Sequence, residues 1–163
     1  MKEQKSNLDY IAGNTIIQFT DSDPALLRID AIVEEQDTNL LLGKSPVVMH
    51  SIESFPALVN KMEQQTQEIP GSVIIKPGRP KRFIAIIYDV ESDPICKTGW
   101  LDTALNTILT DCEQYSIKTL ALPLLGIQYG KLEETTVLEI LQKKLNDKRL
   151  NYPKRILIYT VQN

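Results

Sequence analysis

Ala121-Leu122-Pro123-Leu124-Leu125, running directly into Gly126-Ile127-Gln128-Tyr129-Gly130-Lys131, is the stretch from which the fold is read. Its first half is apolar at every position, as in a strand buried on both faces of a sheet that helices cover. Its second half is a loop with two glycines, where backbone can approach a ligand closely and present N–H groups to phosphate oxygens. Open α/β sheets bind their ligands at the carboxyl ends of strands, so Gly126, Ile127, Gln128, Tyr129 and Gly130 are candidate ligand-binding residues. The plainer reading stays beside it. The glycines also serve a strand-to-helix turn, and an aromatic beside a turn often packs on its own domain.

Similar apolar, β-branched stretches recur at Tyr10–Phe19, Ile29–Val33, Val73–Lys76, Phe83–Val90 and Arg155–Val161, and read as strands. Between them lie helical patterns at about Ile52–Gln67, Gly99–Tyr115 and Glu133–Leu145. In the second, Trp100, Leu101, Ala104, Leu105, Ile108 and Leu109 form one apolar stripe. In the third, acids open the helix and lysines close it, as the helix dipole favours. Strands alternating with helices, several strands being apolar on both faces, give a three-layer α/β/α domain.

No repeat, low-complexity tract or Gly/Ser linker divides the chain, so residues 1–163 read as a single domain. A net charge of −3 and a pI near 5.2 provide no basic field for a nucleic-acid backbone, and neither DNA nor RNA is expected as a partner. Apolar runs fall short of the roughly 20 residues that cross a bilayer. The charged N-terminus lacks the apolar core of a secretory signal. A soluble, cytoplasmic protein is the expectation. Cys96 and Cys112 are too few for a disulfide scaffold or a four-ligand zinc site, and His50, the only histidine, has no metal-ligand cluster around it in sequence. No metal and no cofactor are expected, and both cysteines read as free thiols.

A second candidate segment follows Ile29-Asp30-Ala31-Ile32-Val33: the polar run Glu34-Glu35-Gln36-Asp37-Thr38-Asn39, then Leu40-Leu41-Leu42-Gly43-Lys44-Ser45-Pro46. Glu34 and Asp37 could position a ligand or a water or be solvated loop acids, and Glu35 reads as a solvated loop acid. Asp21-Ser22-Asp23-Pro24 is an ordinary turn and helix-start sequence in which Asp23 has an acceptor to offer. Pro77-Gly78-Arg79-Pro80-Lys81-Arg82 reads as a solvated hairpin turn.

Taken together, these segments resemble the macrodomain family, whose members bind ADP-ribose and related nucleotides. Asp30-Ala31-Ile32-Val33 looks like the family's Asp-Ala-Ile-Val strand, and Asp23 lies seven residues before Asp30, the spacing of the family aspartate that contacts the adenine amino group. Pro123-Leu124-Leu125-Gly126-Ile127-Gln128-Tyr129-Gly130 is similar to the family's second phosphate loop, commonly Pro-x-x-Gly-Thr-Gly-x-Gly. The resemblance implies a mixed central sheet of about six strands with helices on both faces. It also implies an ADP-ribose-like ligand held by Asp23, Pro24, Glu34, Asp37, Gly43 and the Gly126–Gly130 backbone. The departures are specific. Glu34 and Asp37 stand where the family has two asparagines, Gly43-Lys44-Ser45-Pro46 stands in place of a glycine-rich loop, and Gln128 replaces the second loop's middle glycine.

Three functions stay open at this point. One is a nucleotide-binding module for ADP-ribose or a related adenine nucleotide. Another is a hydrolase of an ADP-ribose derivative, with Glu34 or Asp37 as the catalytic base. The last is an interaction or scaffold domain that keeps the fold without the ligand.

Overall fold

The computed structural model describes residues 9–42 and 67–159. Seven strands occur among them: β1 (Tyr10–Ala12), β2 (Thr15–Thr20), β3 (Ala31–Asp37), β4 (Val73–Lys76), β5 (Lys81–Tyr88), β6 (Thr119–Pro123) and β7 (Arg155–Tyr159). Two α-helices, α1 (Thr98–Gln114) and α2 (Glu134–Lys148), follow β5 and β6, and a single 3₁₀ turn, Pro24–Leu26, follows β2. The helix expected at Ile52–Gln67 lies outside the described residues, as do Gly43, Lys44 to Pro46 and His50.

The strands form one mixed sheet in the order β1-β2-β7-β6-β3-β5-β4. β2, β7, β6, β3 and β5 are mutually parallel, while β1 and β4 pair antiparallel at the two edges. The strand count exceeds the expected six because the first apolar stretch is two strands, divided by a turn at Gly13 and Asn14. β4 and β5 form the hairpin foreseen around Pro77–Pro80.

Burial explains the stacking. In β5, Phe83 to Tyr88 are all buried, so both faces of the strand are covered, as its unbroken apolar run demanded. Ala31, Val33, Phe83, Ala85, Leu120, Leu122, Ile156 and Ile158 share one core with Leu101, Leu105 and Ile108 of α1 and Val137, Leu141 and Leu145 of α2. Each fully buried Val, Leu, Ile or Phe among them contributes about 1.5–3 kcal/mol of transfer free energy. The helices lie side by side, joined by Lys144 on α2, which reaches Asp102 (2.8 Å) and Asn106 (2.8 Å) on α1.

β3 departs from its expected limits. Ile29–Val33 was to end the strand and Glu34–Asn39 to form a loop, yet the strand continues through Asp37. The continuation is held by a parallel ladder that pairs Glu34 with Ile84, Glu35 with Ala85, Gln36 with Ile86 and, after a bulge, Asp37 with Tyr88. Four consecutive polar residues look like a loop by propensity, but each finds a partner here, and partnered polar side chains do not end a buried strand. At the strand's start, Asp30 Oδ2 accepts from the backbone N–H groups of Lys118 (3.0 Å) and Thr119 (2.9 Å), which ties β3 to the entry of β6.

No helix among the described residues is long and apolar enough to cross a membrane. Both cysteines are free and buried, and burial pushes their thiols up, Cys96 to about 11 and Cys112 to about 12.

Candidate functional site

The chain leaves β3 toward β5 and β4 on one side, and leaves β6 toward β7 on the other. Neighbouring strands whose connections depart in opposite directions open a crevice at their carboxyl ends, the usual ligand position of an open α/β sheet. The ladder shows the opening directly. β3 and β6 are paired only at Ala31–Leu120 and Ile32–Ala121, after which they separate, whereas β6 and β7 stay paired to Pro123–Tyr159. Tyr159 spans the gap, its hydroxyl donating to Val33 O at 3.0 Å.

The second loop, read from sequence as the ligand loop, is the continuation of β6 into this crevice. Gly126 has φ +81, and a Cβ there would meet Leu132 Cδ1 at 2.5 Å and Cys96 Sγ at 3.2 Å. Gly130 is as crowded, its absent Cβ aimed at Cys96 Cβ and at Gly126 O. The loop is therefore drawn tight, closed by Leu132 N donating to Gly126 O (3.1 Å), and glycine is required at both ends for close packing. Ile127 packs against the core. Tyr129 sets its ring edge-on against Tyr88, centroids 5.6 Å apart, and keeps 44% of its surface exposed at the mouth of the loop.

Glu35 is the residue that sequence reasoning misplaced. Expected as a solvated loop acid, it is half-buried, on the same face of β3 as Val33. Its Oε1 accepts from the Gly126 N–H (2.8 Å) and from the Tyr88 hydroxyl (3.0 Å). The Tyr129 backbone N–H in turn reaches the Tyr88 oxygen, so one chain of hydrogen bonds links β3, β5 and the second loop. Burial raises the Glu35 carboxyl above its ordinary value, against the lowering effect of the two bonds. Burial first, then the Glu35 charge, pushes the Tyr88 phenol far up. The available signal was period two: Ala31 and Val33 are core, so position 35 faces inward as well.

Glu34 and Asp37, the sequence candidates for a base, are otherwise committed. Glu34 projects to the opposite face from Glu35 and forms a two-pronged ion pair with Arg82, Nε to Oε1 at 3.0 Å and Nη2 to Oε2 at 2.6 Å. Asp37 is buried, and its Oδ1 accepts from the N–H groups of Asn39 (2.7 Å) and Leu41 (3.3 Å), closing the turn that leaves β3. Gln36 braces the same turn from both ends of its amide, donating to Leu42 O and accepting from Leu42 N. Asp23 lies beyond the carboxyl end of β2, on the same edge of the sheet, and its Oδ1 caps Ala25 N (2.9 Å) with Pro24 at the first position of the turn. The edge thus carries Asp23, the turn after Asp37 and the second loop together. Among the described residues no group of His, Cys, Asp or Glu is arranged to hold a metal ion.

Solved structures share this architecture. The macrodomain of Mycobacterium tuberculosis DarG matches with a TM-score of 0.64 at 15% identity, over 91% of this chain and 99% of that one. The fold is macrodomain-like. The macrodomain of Thermus aquaticus DarG gives a TM-score of 0.60 at 17% identity, over 90% of this chain and 98% of its own. The Oceanobacillus iheyensis macrodomain with ADP gives 0.66 at 12% identity, over 96% and 88%. No family model matches the sequence, and no curated protein matches it. The macrodomain likeness is thus one of backbone, and the chemistry rests on this chain's own side chains.

Proposed function

We propose that this macrodomain-like chain is a nucleotide-binding module that takes ADP-ribose or a related adenine nucleotide in the crevice between β3 and β6. The observation that carries the reading is the Gly126 N–H, which lies just beyond the carboxyl end of β6 at the topological switch and donates to a carboxyl oxygen, an acceptor of the kind a phosphate also offers. Asp23, beyond the carboxyl end of β2 on the same edge of the sheet, has a carboxylate suited to an exocyclic amino group, and the exposed face of Tyr129 is suited to a sugar or ring. The O. iheyensis neighbours with ADP and with ADPR support the same ligand class.

Hydrolysis has weaker support. A general base must reach its water unencumbered, and both candidates hold other partners: Glu34 faces Arg82, and Asp37 closes its own turn. The scaffold reading is favoured by one observation, that Glu35 and Tyr88 fill part of the crevice from within. Calorimetric titration with ADP-ribose, AMP and NAD, with Asp23→Ala as control, separates these readings. Saturable binding weakened in the variant is expected; no heat from any of the three, at acid or neutral pH, leaves the scaffold reading standing.

A further inference from the structure

An N–H group that donates to a carboxylate marks a position where an anion sits, and here the anion belongs to the protein. Gly126 N lies 2.8 Å from Glu35 Oε1, and the same oxygen is braced by the Tyr88 hydroxyl at 3.0 Å. Glu35 reaches this point from the inward face of β3, across the gap where the β3–β6 ladder has ended. A ligand phosphate aimed at the Gly126 N–H meets an oxygen of its own sign already in place. In a half-buried crevice that repulsion is poorly screened. A neutral hydroxyl meets no such conflict, because a carboxylate is an acceptor to which it can donate.

We propose that Glu35 sets the ligand class of this crevice: its carboxylate guards the Gly126 N–H against phosphate and favours a ligand whose contacting group is an uncharged donor, such as a ribose hydroxyl. The inference rests on the nucleotide reading above and goes further, because it ranks ligands within that class. A diphosphate enters only when the carboxylate is protonated or swung away, whereas a nucleoside can donate a hydroxyl to it. Among the described residues, the titratable groups facing Glu35 are Tyr88 from β5, Cys96 from the segment after β5 and Tyr159 from β7. Burial raises all three, so each stays neutral over the range in which a glutamate loses its proton. Arg82, the nearest guanidinium on β5, is held by Glu34 on the other face and does not offset the Glu35 charge.

The test follows the Gly126 amide by NMR in the full chain as wild type, Glu35→Ala and Glu35→Gln. Each protein is titrated with inorganic pyrophosphate, ADP-ribose and adenosine at about pH 5 and about pH 8, the first close to the ordinary glutamate value and the second well above it. At the higher pH, Glu35→Ala is expected to bind pyrophosphate and ADP-ribose at least ~10-fold more tightly than wild type, the scale of one charged hydrogen bond. Wild type should approach the variant at the lower pH, and adenosine should gain nothing from the substitution. Glu35→Gln keeps an acceptor for Gly126 and Tyr88 while removing the charge. It therefore carries the test if the alanine variant fails to fold, with a smaller gain in the same direction. Equal midpoints for wild type and both variants at the higher pH, or a Gly126 amide silent to pyrophosphate in the variants, overturns the proposal. If pyrophosphate separates the variants while ADP-ribose binds no better than pyrophosphate and adenosine not at all, the guard role stands and the nucleotide reading falls.

Discussion

The Gly126 N–H donates to Glu35 Oε1 across 91 residues of sequence and 2.8 Å of space, and this bond closes the one place where the β3–β6 ladder has come apart. Strands held by only two residue pairs would otherwise leave a wedge open to water at their carboxyl ends. Here a charged side chain from one strand satisfies the backbone of the loop that leaves the other. The arrangement is costly to the carboxylate, because burial disfavours its charged form more than the two bonds favour it.

That cost has a pH signature. The Glu35 pKa is higher in the folded protein than in the unfolded chain, so the folded state binds the proton more tightly. The associated stability is full below the ordinary glutamate pKa and is lost as pH rises through the raised folded value. Glu35→Gln, which keeps an acceptor for Gly126 and Tyr88, should therefore unfold at a higher temperature than wild type at about pH 8, with the gap closing toward about pH 4. Thermal melts across that range check it; a gap that widens on acidification reverses the sign.

The second loop tolerates no side chain at its first glycine. Gly126→Ala places a methyl against Leu132 Cδ1 and Cys96 Sγ in a backbone conformation, φ +81, that L-residues rarely adopt. Overpacking of this kind costs about 1–3 kcal/mol, with backbone strain adding to it. Chemical denaturation should show a lowered midpoint. The loop should also lose the edge-on contact of Tyr129 with Tyr88, seen as a change in near-ultraviolet tyrosine dichroism.

Much of this was legible in advance. The unbroken apolarity of Phe83–Ile87 and Leu120–Leu125 announced a covered sheet, and the glycines at 126 and 130 announced a tight loop at a strand end. Glu34 to Asp37 were not legible, because their strand is made by partners remote in sequence: Arg82 for Glu34, Tyr88 and Gly126 for Glu35. Local propensity sees four polar residues and writes a loop; only pairing with β5 makes them a strand. The alternation that buries Ala31 and Val33 carried the hint for Glu35.

The two acids flanking this strand's core should behave oppositely on removal. Asp30 Oδ2 holds two backbone N–H groups at the start of β6, and Asp30→Ala leaves both without that acceptor, at a cost of about 1–2 kcal/mol. Glu34 pairs with Arg82 where both side chains are more than a third exposed, and such pairs contribute about 0–1 kcal/mol. Urea midpoints of the two variants should therefore separate clearly, with Asp30→Ala well below wild type and Glu34→Ala close to it.

Cys96 offers a readout of the crevice without any ligand. Its thiol is pushed up to about 11, first by burial and then by the nearby Glu35 charge, so at about pH 8 almost none is thiolate and a disulfide reagent should react far more slowly than with the unfolded chain. Cys112, pushed to about 12 chiefly by its own burial with the Asp111 charge second, should be slower still. Glu35→Gln removes the electrostatic contribution at Cys96 and leaves burial in place. The Cys96 pKa should fall modestly and its rate at a given pH rise, while Cys112, with Asp111 untouched, keeps its wild-type rate. Assigning the two rates by mass spectrometry of the labelled peptides makes Cys112 the internal control for global loosening. An equal rise at both cysteines would mean that the substitution opens the fold, whereas a rise at Cys96 alone places the Glu35 charge against that thiol.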